Sequence, residues 1–209
     1  MAYITGIDRN QAQLFPELLD EYVDAENPVR VIDAFVSSLD MKKLKFTKTE
    51  QNGPGAPSYD PRDMLKLYIY GYSNGIRTSR KLEKATYVNV EVMWLIQKLH
   101  PDHKTIANFR RQNKRQLMQV FREFNLLCKD WDLFGGEIVA IDGTKFRADN
   151  SKRNNYNKKK IDRQKKYIDE KINEYLNALD CGDQEPEEKP RYTIDEMKKK
   201  IEELKERKT

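Results

Sequence analysis

Residues 60–75, Asp-Pro-Arg-Asp-Met-Leu-Lys-Leu-Tyr-Ile-Tyr-Gly-Tyr-Ser-Asn-Gly, carry their own start and stop signals. Asp60 before Pro61 is an N-cap followed by a first-turn proline: the carboxylate can accept from unpaired helix N–H groups, and proline has no N–H to lose there. Asn74-Gly75 is a helix stop. Between them Met64, Leu65, Tyr68, Ile69 and Tyr72 recur at helical spacing, which predicts a buried helix.

The same period extends outward on both sides. Upstream, Asn27-Pro28 opens a helix carrying Val31, Ile32, Phe35, Val36 and Leu39. Downstream come three short helices: one from Thr78 or Ser79, one through VNVEVMWLIQKL, and one after His100-Pro101-Asp102. A longer helix carries Leu117, Val120, Phe121, Phe124, Leu127 and Cys128, and Gly135-Gly136 ends the helical region. Trp94 and Trp131 fall in apolar helical patterns and are expected in the core.

After residue 136 the pattern changes. EIVAID and TKFRAD flank Gly143 as two short strands would. From Ile161 the apolar residues Ile161, Ile168, Ile172, Tyr175 and Leu179 form a coiled-coil-like stripe, which the stretch CGDQEPEEKPR is expected to break. A second helix then opens on Thr193 and Glu196 in a capping box and carries Ile194, Met197, Ile201 and Leu204. The two stripes read as an antiparallel helical hairpin. The expected fold is mainly α: a helix-turn-helix-like N-terminal domain, a short β-hairpin, and a C-terminal helical hairpin. The divisions are an acidic helical leader (1–52), a helical domain (53–136), a strand pair with a basic segment (137–160), and the hairpin (161–209).

The net charge of +5 conceals a segregation along the chain. Residues 61–136 carry 14 basic against 7 acidic side chains, and residues 143–166 carry 10 against 2. Both ends are net acidic. Charge of this kind fits a polyanionic partner or a set of solvated helix faces. No apolar run long enough to span a membrane and no signal-peptide pattern occurs, so a soluble, cytoplasmic protein is expected. Cys128 and Cys181 are isolated thiols of a reducing compartment.

Short basic helices joined by tight turns suit a helix-turn-helix module or a charged helical bundle. For DNA binding the candidates are Arg77, Arg80, Lys81 and Lys84 around one helix start, and Lys104, Asn108, Arg110, Arg111 and Lys114 around another. Arginine can read guanine edges, asparagine can read adenine, and lysine neutralises phosphate. The second basic block adds Lys152, Arg153, Lys158, Lys159 and Lys160 as a cradle for a nucleic-acid backbone. Asp142, just before it, fits either a hairpin turn with Gly143 or a Mg²⁺ ligand. His100 and His103 lack the further ligands of a zinc site, and no GxxxxGK phosphate loop is present.

The long stretch from Tyr59 to Asn113, followed by VAIDGTKFRADNSKRNNYNKKK, resembles bacterial insertion-sequence transposases of the DDE type. The resemblance implies a helical N-terminal domain that recognises double-stranded terminal inverted repeats, followed by the start of an RNase H-like domain. It also implies nucleoid association and assembly with itself or with full-length transposase. Asp142 would be the first carboxylate of an Asp, Asp, Glu triad that holds two Mg²⁺ ions for DNA strand cleavage and transfer. The family's second Asp and its Glu have no matching motif here. The chain is therefore expected to be a truncated transposase, inactive alone, that retains DNA binding. The alternatives are a non-catalytic regulator of transposition and a partial gene product without function.

Overall fold

A computed structural model describes residues 18–49, 58–130, 158–184 and 199. Among these, seven α-helices and one short 3-10 turn (Leu19–Tyr22) occur, and no strand. The helices are α1 (Val29–Ser38), α2 (Pro61–Ser73), α3 (Ser79–Val88), α4 (Val90–Leu95), α5 (His103–Gln112), α6 (Lys114–Asp130) and α7 (Lys158–Gln184). The mainly α expectation holds. The strand pair expected at 137–149, Trp131 and the hairpin's second arm lie outside the described residues, apart from Lys199 in that arm.

Helix α2 is the centre, because every residue from Met64 to Tyr72 is buried. A helix that is buried on all sides must carry its neighbours around it. Its start follows the sequence: the Asp60 carboxylate accepts from the Arg62 amide at 2.7 Å, with Pro61 in the first turn. Its end is a Schellman arrangement in which the Ile76 amide donates to the Gly71 carbonyl at 2.8 Å and Gly75 adopts φ +65°.

Three buried tyrosines on α2 aim their hydroxyls at named partners on other elements. Tyr68 donates to the Ile106 carbonyl at 2.7 Å, Tyr70 donates to Glu91 at 2.7 Å, and Tyr72 accepts from Asn125 at 3.1 Å. Burial pushes the Tyr72 phenol up to about 12. Each hydroxyl is thus kept protonated and paired, as a buried polar tip must be. Lys66, also buried, reaches Asp33 on α1 at 2.7 Å.

The described part of the acidic leader, residues 18–49, packs into this core. Val29, Ile32 and Val36 of α1 are buried in it. Arg30 lies over the Trp94 ring, the Trp94 indole donates to Asp20 at 2.8 Å, and Asn27 donates to Glu91 at 2.8 Å. Trp94 is partly buried against the core. Thr47 and the fully buried Asn113 exchange hydrogen bonds, tying the loop after α1 to the α5–α6 junction.

Helix α7 closes the remaining side. Ile168, Ile172, Tyr175, Leu176 and Leu179 are buried, and the Tyr175 ring meets Tyr72 and Phe121 edge-on at 5.2 and 6.0 Å. The stripe read as the seam of a separate hairpin therefore faces α2 and α6 in its described part. Helix α7 also runs on through Cys181 and Gly182 to Gln184, into the first four residues of the stretch expected to break it, and the rest of that stretch lies outside the described residues. Gly71 marks the crossing: a Cβ there would lie 2.6 Å from Leu82 Cδ2 and 2.8 Å from the Tyr175 hydroxyl. Only a residue without a side chain lets α2, α3 and α7 approach this closely.

Candidate nucleic-acid interface

Helices α3 and α5 each begin on a side-chain cap. Thr78 accepts from the Lys81 amide at 3.1 Å, and Asp102 accepts from the Thr105 amide at 2.7 Å. The amide of Thr105 is also the main influence holding the Asp102 carboxyl below its ordinary range. Between them, Asn89 ends α3 and caps α4 by accepting from the Val92 amide at 3.1 Å, so the chain turns sharply.

The two helices run antiparallel against each other, in a register set by polar pairs. The Ser79 hydroxyl meets Arg110 at 3.2 Å, Glu83 meets both the backbone amide and the ring of His103 at 3.1 and 2.7 Å, and Thr86 meets His100 at 3.2 Å. On the outer side of this pair α3 presents Arg80 and Lys84, with Arg77 just before it and Lys81 beside it. The outer stripe of α5 is Lys104, Asn108 and Arg111, spaced by four and three residues. Arg80, Lys104, Asn108 and Arg111 line one open groove between the helices, and Asp183 lies at its edge. Arg111 donates to the Asn108 side chain, which joins two of the exposed polar groups.

Arg110 has a different position. It is 2% exposed, beneath the groove, and its guanidinium reaches Asp180 at 2.9 Å, Asp183 at 2.8 Å, Ser79 at 3.2 Å and Tyr68 at 3.4 Å. Lys114 is partly exposed and pairs with Asp180 at 3.3 Å. Asp183 also accepts from the Ser79 amide and hydroxyl at 2.7 and 2.6 Å. Burial pushes the Asp183 carboxyl up, but the hydrogen bonds from Ser79 and Arg110 outweigh it and leave the group below its ordinary range. Gly182 permits the approach, since a Cβ there would lie 2.6 Å from Thr78 Cγ2 and 2.9 Å from the Arg77 carbonyl oxygen.

Of the residues singled out in the sequence, the structure brings Arg77, Arg80, Lys81, Lys84, Lys104, Asn108 and Arg111 to one exposed pair of helices. Arg110 is buried under them. Asp142, Lys152 and Arg153 lie outside the described residues, and Lys158, Lys159 and Lys160 begin α7 with side chains that are not described. Asp180, Gly182 and Asp183 escape sequence reading because they act on residues 66 or more positions away. Their local signature is that of a helix end. Among the described residues no group of three or more His, Cys, Asp or Glu side chains could hold a metal ion, and no helix is long and apolar enough to cross a membrane.

Residues 17–112 match the family described as Transposase domain (DUF772). The match ends with α5 and so takes in the whole α3–α5 face. It supports a transposase. No curated protein and no solved structure matches the chain.

Proposed function

We propose, from the transposase-domain match over residues 17–112, that this chain acts in DNA transposition and that its α3–α5 face binds double-stranded DNA, with the terminal inverted repeats of an insertion sequence as the target. The observation that carries the DNA reading is the convergence of Arg80, Lys84, Lys104, Asn108 and Arg111 on one exposed face, built from two elements held in register. Lysines there neutralise phosphates, while Asn108 and the arginines have the hydrogen-bonding geometry to read base edges. Arg110 is left out of the contact set, because its charge is already met by two carboxylates. Its part is to hold α5 against α3.

The finer expectation of Mg²⁺-dependent strand transfer, with Asp142 as a metal ligand in an RNase H-like domain, is supported by the resemblance of VAIDGTKFRAD alone. Asp142 lies outside the described residues, and among those described no group of His, Cys, Asp or Glu side chains fits such an ion.

Binding of the full 209-residue chain to an inverted-repeat duplex, titrated with salt, tests the reading. Affinity should fall steeply as salt rises, and Lys84→Ala should lower the slope of log K against log salt by about 1. Asn108→Ala should instead reduce the preference for the repeat over random duplex. A flat salt response would sink the proposal.

A further inference from the structure

One end of the α3–α5 face carries aromatic rings instead of cations. Tyr87 follows Arg80 and Lys84 at steps of four and three residues, so it continues the same exposed side of α3. Its ring lies parallel to that of His100, with centroids 4.1 Å apart and planes inclined by 7°. Tyr87 is nevertheless 56% exposed, and Val88 and Val90 beside it are exposed as well.

The ring pair is held from below. The hydroxyl of Thr86, itself fully buried, donates to the Glu83 carbonyl at 2.7 Å. The same Thr86 oxygen lies 3.2 Å from His100 Nδ1, and this contact holds the imidazole as a backing for Tyr87. The position of Tyr87 is therefore set before any ligand arrives, which lowers the ordering cost of binding.

We propose that Tyr87, backed by His100, is a stacking platform for one unpaired nucleobase at the edge of the duplex bound on the α3–α5 face. The inference rests on the DNA-binding reading above and adds a second kind of ligand to it. A flat, exposed aromatic ring in line with cations is the combination that binds single-stranded nucleic acid: the ring stacks a base and the cations meet its phosphates. Lys84 and Arg80 supply the cations one and two turns back along the helix. The competing occupant, a second copy of this chain, fits less well. A symmetric contact through this patch would bring two copies of the same basic face together, and like charges repel.

The experiment compares two probes with the full chain: a blunt inverted-repeat duplex, and the same duplex carrying a short single-stranded extension whose first base is 2-aminopurine. The extended probe should bind more tightly than the blunt one, with quenching of the 2-aminopurine fluorescence as the base stacks. Tyr87→Ala should lose roughly 5- to 10-fold in affinity for the extended probe and abolish the quenching. It should leave the blunt duplex within about twofold, and Tyr87→Trp should keep both signals. A thermal transition of Tyr87→Ala matching that of the parent confirms that binding, not folding, was changed. Equal affinity of the parent for the two probes, or equal loss on both in Tyr87→Ala, overturns the platform while the DNA reading stands. Loss of a self-associated species in Tyr87→Ala by sedimentation, with no change on the extended probe, also overturns it and assigns the patch to a second copy. Failure of the parent to bind either probe overturns both readings.

Discussion

The guanidinium of Arg110 on α5 lies 2.8 Å from the carboxylate of Asp183 on α7, and that same carboxylate accepts from the backbone amide that opens α3. One acidic side chain thus fastens the two helices of the candidate interface to each other. Asp180 completes the arrangement by meeting both Arg110 and Lys114. The arginine is the most deeply buried charged member, so it depends most on its partners.

Replacing Arg110 by Met should destabilise the protein by about 3 kcal/mol, because removing one partner of a buried ion pair leaves the other without its counter-charge. Urea denaturation of the two proteins measures the difference. Asp183 keeps some contact with solvent and its bonds to Ser79, which places the expected cost at the low end of the usual range. A change below about 0.5 kcal/mol, typical of a surface substitution, would show that the pair contributes nothing.

The pH dependence has a defined sign. The folded-state pKa of Asp183 is lowered, so the unfolded chain takes up its proton first as the solution is acidified. The stabilisation is fully present above the unfolded value of about 4 and is lost as pH falls through the lower folded value. Asp183→Asn removes this contribution. The stability gap between parent and variant should be constant from about pH 7 to 5 and shrink below about pH 4. A gap that widens on acidification would contradict the assignment.

At Gly182 two effects oppose each other. Alanine improves helix propensity by up to about 1 kcal/mol, but the new Cβ meets Thr78 Cγ2 at 2.6 Å and the Arg77 carbonyl oxygen at 2.9 Å. The methyl can turn aside, whereas the carbonyl belongs to the backbone that leads into α3. Overpacking of this kind costs roughly 1–3 kcal/mol, so Gly182→Ala should be destabilising on balance. It should also weaken DNA binding, because the displaced segment carries Arg77. Thermal unfolding and the salt titration on one protein sample report the two effects separately.

Local chemistry accounts for much of this fold. Asp60-Pro61, Thr78, Asp102 and Asn74-Gly75 start or stop helices through bonds to amides and carbonyls within a few residues, so a reader of the sequence can place them. Periodicity likewise identifies Met64 to Tyr72 and the stripe on α7 as apolar faces. Arg110 and Arg111 show where this legibility stops. They are adjacent in sequence and identical in chemistry, yet one is buried and ion-paired while the other lines an open groove.

The sequence by itself therefore determined the helices, their caps, the apolar stripes, and the presence of a basic block in a transposase-like context. Tertiary structure alone decided that the α7 stripe packs on Tyr72 and Phe121, that Gly182 and Asp183 seat against α3, and that Arg110 is taken from the basic surface to hold it together. The physical reason is range. Capping and periodicity act across one turn of helix, whereas the partner of a buried charge can come from any segment that the fold brings within about 3 Å, and no local pattern encodes which one.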